Sequence, residues 1–167
     1  MGGSTTDRSE AVAGVTIDVP EGWRPVAGQA DDAVAASELW RPQPDSASGL
    51  LLVVGCEGGG VDALVEGVLH LPRGALVVTD AQELTPAPDV PGLEAARRIE
   101  LTFGAGREDD ARTLRTGALY GQAGDALLLI ELSAPVASYD QDLVTATLAS
   151  VRVDADQLRA TCEPAAG

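Results

Sequence analysis

Three kinds of residue in this chain could do chemistry: one histidine, His70, two cysteines, Cys56 and Cys162, and many carboxylates. A thiol nucleophile needs a base within hydrogen-bond reach and a third group to orient that base. Cys56 and His70 supply the first two types, so a hydrolytic or small-ligand-binding domain using them is one reading of the chain. Nothing in their spacing forces them together, and no third member stands out. His70 falls at the end of a helical stretch, where a cation is mildly favoured by the helix dipole, and a structural role is expected for it. Two cysteines are too few for a zinc site or a disulfide framework. Cys56 closes an apolar run and is expected to be a buried free thiol, with Cys162 in a loose tail. A single bridge between them is the alternative for an exported chain.

The segment Gly55-Cys56-Glu57-Gly58-Gly59-Gly60 lies between a strand and a helix, where phosphate-binding loops occur. It lacks the Gly-Lys-Ser/Thr ending, its glycines do not fit Gly-x-Gly-x-x-Gly, and Glu57 and Asp62 would oppose a phosphate. A plain flexible connection is expected. Glu108-Asp109-Asp110 offers three adjacent carboxylates, but neighbours in a turn point apart, and a calcium loop needs spaced ligands around a glycine. A solvated turn is expected there, and no metal, cofactor or catalytic residue is assigned. Trp and Arg dominate binding hot spots, which makes Trp40, Arg98 and Arg115 the candidate partner-binding residues. Trp23, after Pro20-Glu21-Gly22, reads as a lid over the core.

The elements that must position these residues are bounded by composition. A length of 167 residues fits one domain. With 45% hydrophobic and 22% charged residues, the chain has the make-up of a folded protein rather than a disordered one. Its 11 basic residues, all arginine, face 26 acidic ones, giving a net charge of −15. A phosphate backbone or anionic bilayer would be repelled at long range, so nucleic acid and membrane surfaces are not expected partners. The absence of lysine points to a GC-rich bacterial genome and carries no function. No run of 18 apolar residues is present, so no membrane insertion is expected. No basic region precedes an apolar run near Met1, so cytoplasmic location is expected. The alternative is an exported lipoprotein with its signal removed, where Gly2-Gly3-Ser4-Thr5-Thr6 would suit a tether.

Periodicity then divides the chain into a flexible arm at 1–12, a single domain at 13–153 and a tail at 154–167. Val15-Thr16-Ile17-Asp18-Val19 alternates apolar and polar as a half-buried strand. Residues 35–41 and 50–56 read as further strands, the second apolar on both faces and therefore central. Val61, Leu64, Val65, Val68 and Leu71 share one helical face over 61–71. Residues 75–84 form another strand. Ile99, Leu101 and Phe103 alternate with Arg98, Glu100 and Thr102, and residues 112–120 return to complete a hairpin. A register with Phe103 opposite Arg112 sets Glu100 against Arg115 and Leu101 against Leu114. Residues 126–132 are a buried strand. The last helix follows Pro135, with Ser138 and Gln141 as a capping box. The result is an α+β fold, a mostly antiparallel central sheet of about six to seven strands flanked by helices.

This pattern resembles the Mog1/PsbP-like family. Val15-Thr16-Ile17-Asp18-Val19-Pro20-Glu21-Gly22-Trp23 is similar to the family's opening strand and its Pro-x-Gly-Trp turn. The helix at 138–149, running into Ser150-Val151-Arg152-Val153, is similar to its closing helix and terminal segment. The resemblance spans about 13–153 and implies an α/β/α sandwich serving as a non-enzymatic, protein-binding adaptor or chaperone-like module. An exported or lipid-anchored envelope protein of the same fold is the second reading. Members share a fold and little else, so no site residue is carried over.

Overall fold

The computed structural model describes residues 8–26, 34–56, 60–70, 77–104 and 113–163. Strands β1 (Arg8–Val12) and β2 (Val15–Val19) open the chain as a hairpin, followed by β3 (Arg24–Pro25), β4 (Ala36–Arg41) and β5 (Gly49–Gly55). Helix α1 (Gly60–His70) leads to β6 (Val77–Leu84), β7 (Ala95–Gly104), β8 (Leu114–Ala123) and β9 (Ala126–Pro135). Helix α2 (Gln141–Ala149), β10 (Arg152–Val153) and α3 (Ala155–Ala160) complete it. Seven strands form the main sheet in the order β3-β4-β5-β9-β8-β7-β6, and every pairing in it is antiparallel. The α+β expectation therefore holds.

The periodicity of each strand decides which layer covers it. In β5, Leu50, Leu52 and Val54 are fully buried and alternate with half-buried neighbours. In β8, residues 116–121 are buried without interruption, because this strand lies mid-sheet and is covered on both faces. On one face Leu119, Leu128, Ile130 and Leu132 pack with Val144 and Leu148 of α2 and Leu158 of α3. On the other, Ala118, Tyr120, Ile99 and Leu101 pack under Val61, Val65 and Val68 of α1. Trp23 is half-buried against the first of these clusters, as a lid would be.

A second sheet was not legible in the sequence. Val15, Ile17 and Val19 belong to a three-stranded sheet, β1-β2-β10, whose inner side joins the core shared with α2 and α3. One covering layer of the main sheet is thus part strand and part helix. Residues 8–12, expected in the flexible arm, pair with β2 from Arg8↔Val19 to Val12↔Val15. The tail over 154–163 forms a short helix that packs on the core. Asp154 caps α3 by accepting from Gln157 N–H, and the apolar Leu158 is wholly buried.

The last helix starts differently from the expected capping box. Residues Val136–Ser138 form a short 3-10 turn in which Ser138 Oγ donates to Pro135 O at 3.3 Å. Asp140 is the cap, its Oδ1 accepting from Asp142 and Leu143 N–H at 3.1 Å each. An aspartate accepts as well as a serine does and adds a charge at the positive end of the helix. Asp140→Ala is accordingly expected to lower stability by about 1 kcal/mol and Ser138→Ala by a few tenths. Urea midpoints of the two variants check this, and the reverse order would return the cap to Ser138.

Candidate functional site

Among the described residues, a polar cluster is built around the buried carboxylate Glu100. β7 carries Arg98 and Glu100 on the face that α2 covers, β8 brings Arg115 beside them, Tyr139 comes from the approach to α2 and Gln141 from its first residue. Glu100 is 7% exposed. Its Oε2 accepts from Arg115 Nη2 at 2.8 Å, and its Oε1 accepts from Gln141 Nε2 at 2.6 Å, with Arg98 Nη2 3.9 Å away. Arg98, also buried, donates to the carbonyls of Ile99 and Ala118 at 3.1 and 3.4 Å. The Arg115 guanidinium lies 5.1 Å over the Tyr139 ring, a favourable contact of a cation with the electron-rich ring face. Gly117 makes room for this, since a Cβ there would press on Val144 and come within 2.8 Å of Tyr139 Oη.

Burial works to raise the Glu100 pKa, but the hydrogen bonds from Arg115 and Gln141 and the fields of both arginines hold it below the usual range. Burial pulls Arg98 down against the Glu100 field, and burial with the same carboxylate pushes Tyr139 up. The cluster is an ion network centred on Glu100, in which Arg115 Nε and Tyr139 Oη are left without a hydrogen-bond partner among the described residues.

The pairing of Glu100 with Arg115 occurs in a register two residues from the expected one. Phe103 stands opposite Leu114, Thr102 opposite Arg115 and Glu100 opposite Gly117. A shift of two leaves every side chain on its original face. The long arginine then meets Glu100 along the diagonal, which is within reach of such side chains. Arg112 lies outside the described residues.

Of the three candidate partner-binding residues, the structure brings Arg98 and Arg115 together and leaves Trp40 elsewhere. Trp40 is 1% exposed and sits in the main core, so it is not a contact residue in this fold. β3 pairs beyond β4, so the strand that carries Trp40 is an inner one. Arg98 is buried too, and Arg115 alone keeps a half-exposed side chain.

Sequence reasoning missed a second buried carboxylate, Glu131 in β9, 3% exposed and accepting from Tyr120 Oη at 3.1 Å. Its signal was a lone acid ending the apolar run 126–130. Glu131 stands opposite Ala118, on the α1 side, whereas Glu100 stands opposite Gly117, on the α2 side. The sheet separates the two, so they cannot share a substrate as acid and base.

The cysteine expectation is overturned. Cys56 and Cys162 form a disulfide across 106 residues, with Cα atoms 5.3 Å apart. Cys56 is exposed rather than buried, because β5 ends at Gly55. The strand alternation that turns Val54 inward points Cys56 to the same face, where the chain beyond α3 arrives. A sulfur tied in a bridge cannot serve as the nucleophile of the Cys56 and His70 pair. The His70 side chain, Gly58 and Gly59, and the Glu108-Asp109-Asp110 turn lie outside the described residues. The N–H of Val61 in the first turn of α1 donates to Gln122 Oε1 of β8 at 3.0 Å. Among the described residues, no group of three His, Cys, Asp or Glu is placed to hold a metal ion.

The solution structure of cyanobacterial PsbP (CyanoP) from Synechocystis sp. PCC 6803 superposes on 92% of this chain and 96% of its own, with a TM-score of 0.55 at 13% identity. The fold is PsbP-like. No protein-family profile and no curated protein matches the sequence, so the PsbP-like likeness is one of architecture. Among the described residues no helix is long and apolar enough to cross a membrane.

Proposed function

We propose that this chain is an exported, non-enzymatic protein-binding module of PsbP-like fold. The Cys56–Cys162 bridge carries the reading: it removes the thiol that a nucleophilic site would need, and such bridges persist in oxidising compartments outside the cytoplasm. The network around Glu100 supports it, since two arginines face one carboxylate and leave positive charge on the α2 side. Arg115, half-exposed beside Tyr139, is the residue through which the α2 side would meet a partner.

Non-reducing peptide mapping of the protein isolated from its own cells, after thiols are blocked at lysis, tests the export part. A linked Cys56–Cys162 peptide in the envelope or secreted fraction is expected, and two blocked thiols in the cytoplasmic fraction would sink it. The binding part is read by pull-down with Arg115→Ala. Weaker capture of one defined partner by the folded variant is expected, at a temperature well below its own unfolding, and equal capture would move the contact elsewhere.

A further inference from the structure

Helix α3 cannot stand by itself. It has six residues, and isolated helices need roughly 12–15 residues to be even marginal in water. Its position rests on attachments at both ends and one in the middle. At its start the Asp154 N–H donates to Gly14 O at 2.8 Å, and a Cβ on Gly14 would lie 2.9 Å from Gln157 Cβ. On the other flank a Cβ on Gly124 would lie 2.9 Å from Arg159 Cδ. Glu94 joins the two, accepting from Gly124 N–H at 3.1 Å and facing Arg159 at 3.8 Å. The helix is thus seated between the β1–β2 and β8–β9 turns, with Leu158 as its one fully buried side chain. Beyond its far end Cys162 is tied to Cys56, which is exposed.

One buried leucine and exposed ion pairs are little against the entropy of ordering a whole segment. The covalent tie supplies the difference by confining that segment beside its seat. We propose that α3 is a redox-held latch: the Cys56–Cys162 bridge keeps it docked, and a dithiol reductant releases it while the sheet stays folded. In the exchange, a thiolate of the reductant attacks the exposed Cys56 sulfur and Cys162 leaves as a thiolate that takes up a proton. The second thiol of the reductant then displaces Cys56. Two electrons and two protons pass to the chain, and the reductant ends as a disulfide. Release uncovers the seat of Leu158 and opens one wall of a groove of about 430 Å³ at the foot of α3, between Thr16, Arg152, Asp154 and Gln157.

The inference rests on the bridge but not on a binding role. Amide hydrogen exchange of the full chain, before and after reduction with tris(2-carboxyethyl)phosphine, tests it. Amides of 155–162 are expected to exchange at least ~10-fold faster once reduced, with those of α2, β8 and β9 still protected. Protection of α3 that survives reduction would overturn the latch, and so would loss of protection in α2 and β8 together with α3. Cys162→Ser is the second variant, and it should match the reduced protein. If it does not accumulate in cells, the reduced native chain still decides. A latch that fails with the bridge intact leaves the export reading standing, whereas free thiols in the native protein would remove both.

Discussion

Glu100→Ala is expected to destabilise the fold by about 4 kcal/mol, because removing one partner of a buried ion network strands the others. The stranded group is chiefly Arg98, which is buried and tied to backbone carbonyls. Arg115 can swing toward water and is not stranded, whereas Arg115→Ala removes one of two hydrogen bonds to the buried Glu100 and should lose about 2 kcal/mol. A double change, Glu100→Leu with Arg98→Met, should recover much of the loss, since well-packed apolar groups can replace a buried pair at little cost. Urea denaturation at neutral pH reads all three, and a Glu100→Ala loss under about 1 kcal/mol would show the network to be idle.

The same carboxylate predicts an acid limb. Its folded pKa is held below its unfolded value of about 4.3. Its contribution is therefore complete above the unfolded value and lost as pH falls through the folded one. The stability gap between the native chain and Glu100→Gln should be constant from pH 7 to about 5 and close below about 4. Comparing the two chains at each pH subtracts the relief of general repulsion that acid brings to a protein of net charge −15. A gap that widens in acid would mean that Glu100 is protonated more readily in the fold than in the unfolded chain.

The second large effect belongs to the bridge. Cys56→Ser with Cys162→Ser opens a covalent loop of 106 residues, and loops of that length are credited with about 4 kcal/mol through the entropy of the unfolded chain. A domain with about 10 kcal/mol to begin with would remain folded at 25 °C, with a clearly lower urea midpoint. That outcome is the one the latch requires, a standing sheet with a loosened terminus. A loss under about 1 kcal/mol would mean that the reduced chain keeps the same constraint by other contacts.

What the sequence determined by itself was whatever depends on neighbours along the chain. Alternation at Val15–Val19 and at Ile99, Leu101 and Phe103, helical spacing at Val61, Val65 and Val68, and the apolar run of β5 each specify an element and its inward side. Together they sufficed for an α+β sheet with helices on it. Features that depend on distant segments were decided only in three dimensions. The β7–β8 register moved by two because both registers keep the same faces, and a diagonal contact satisfies Glu100 and Arg115 as well as a direct one. The cap passed from Ser138 to Asp140 because a 3-10 turn used the serine first. Trp40 was buried because its face of β4 packs into the core that the second sheet, α2 and α3 close. Cys56 and Cys162 met because the direction of β5 and the seat of α3 converge on one side of the sheet. No local signal carries a convergence of segments 106 residues apart, since it arises from the packing of every layer between them.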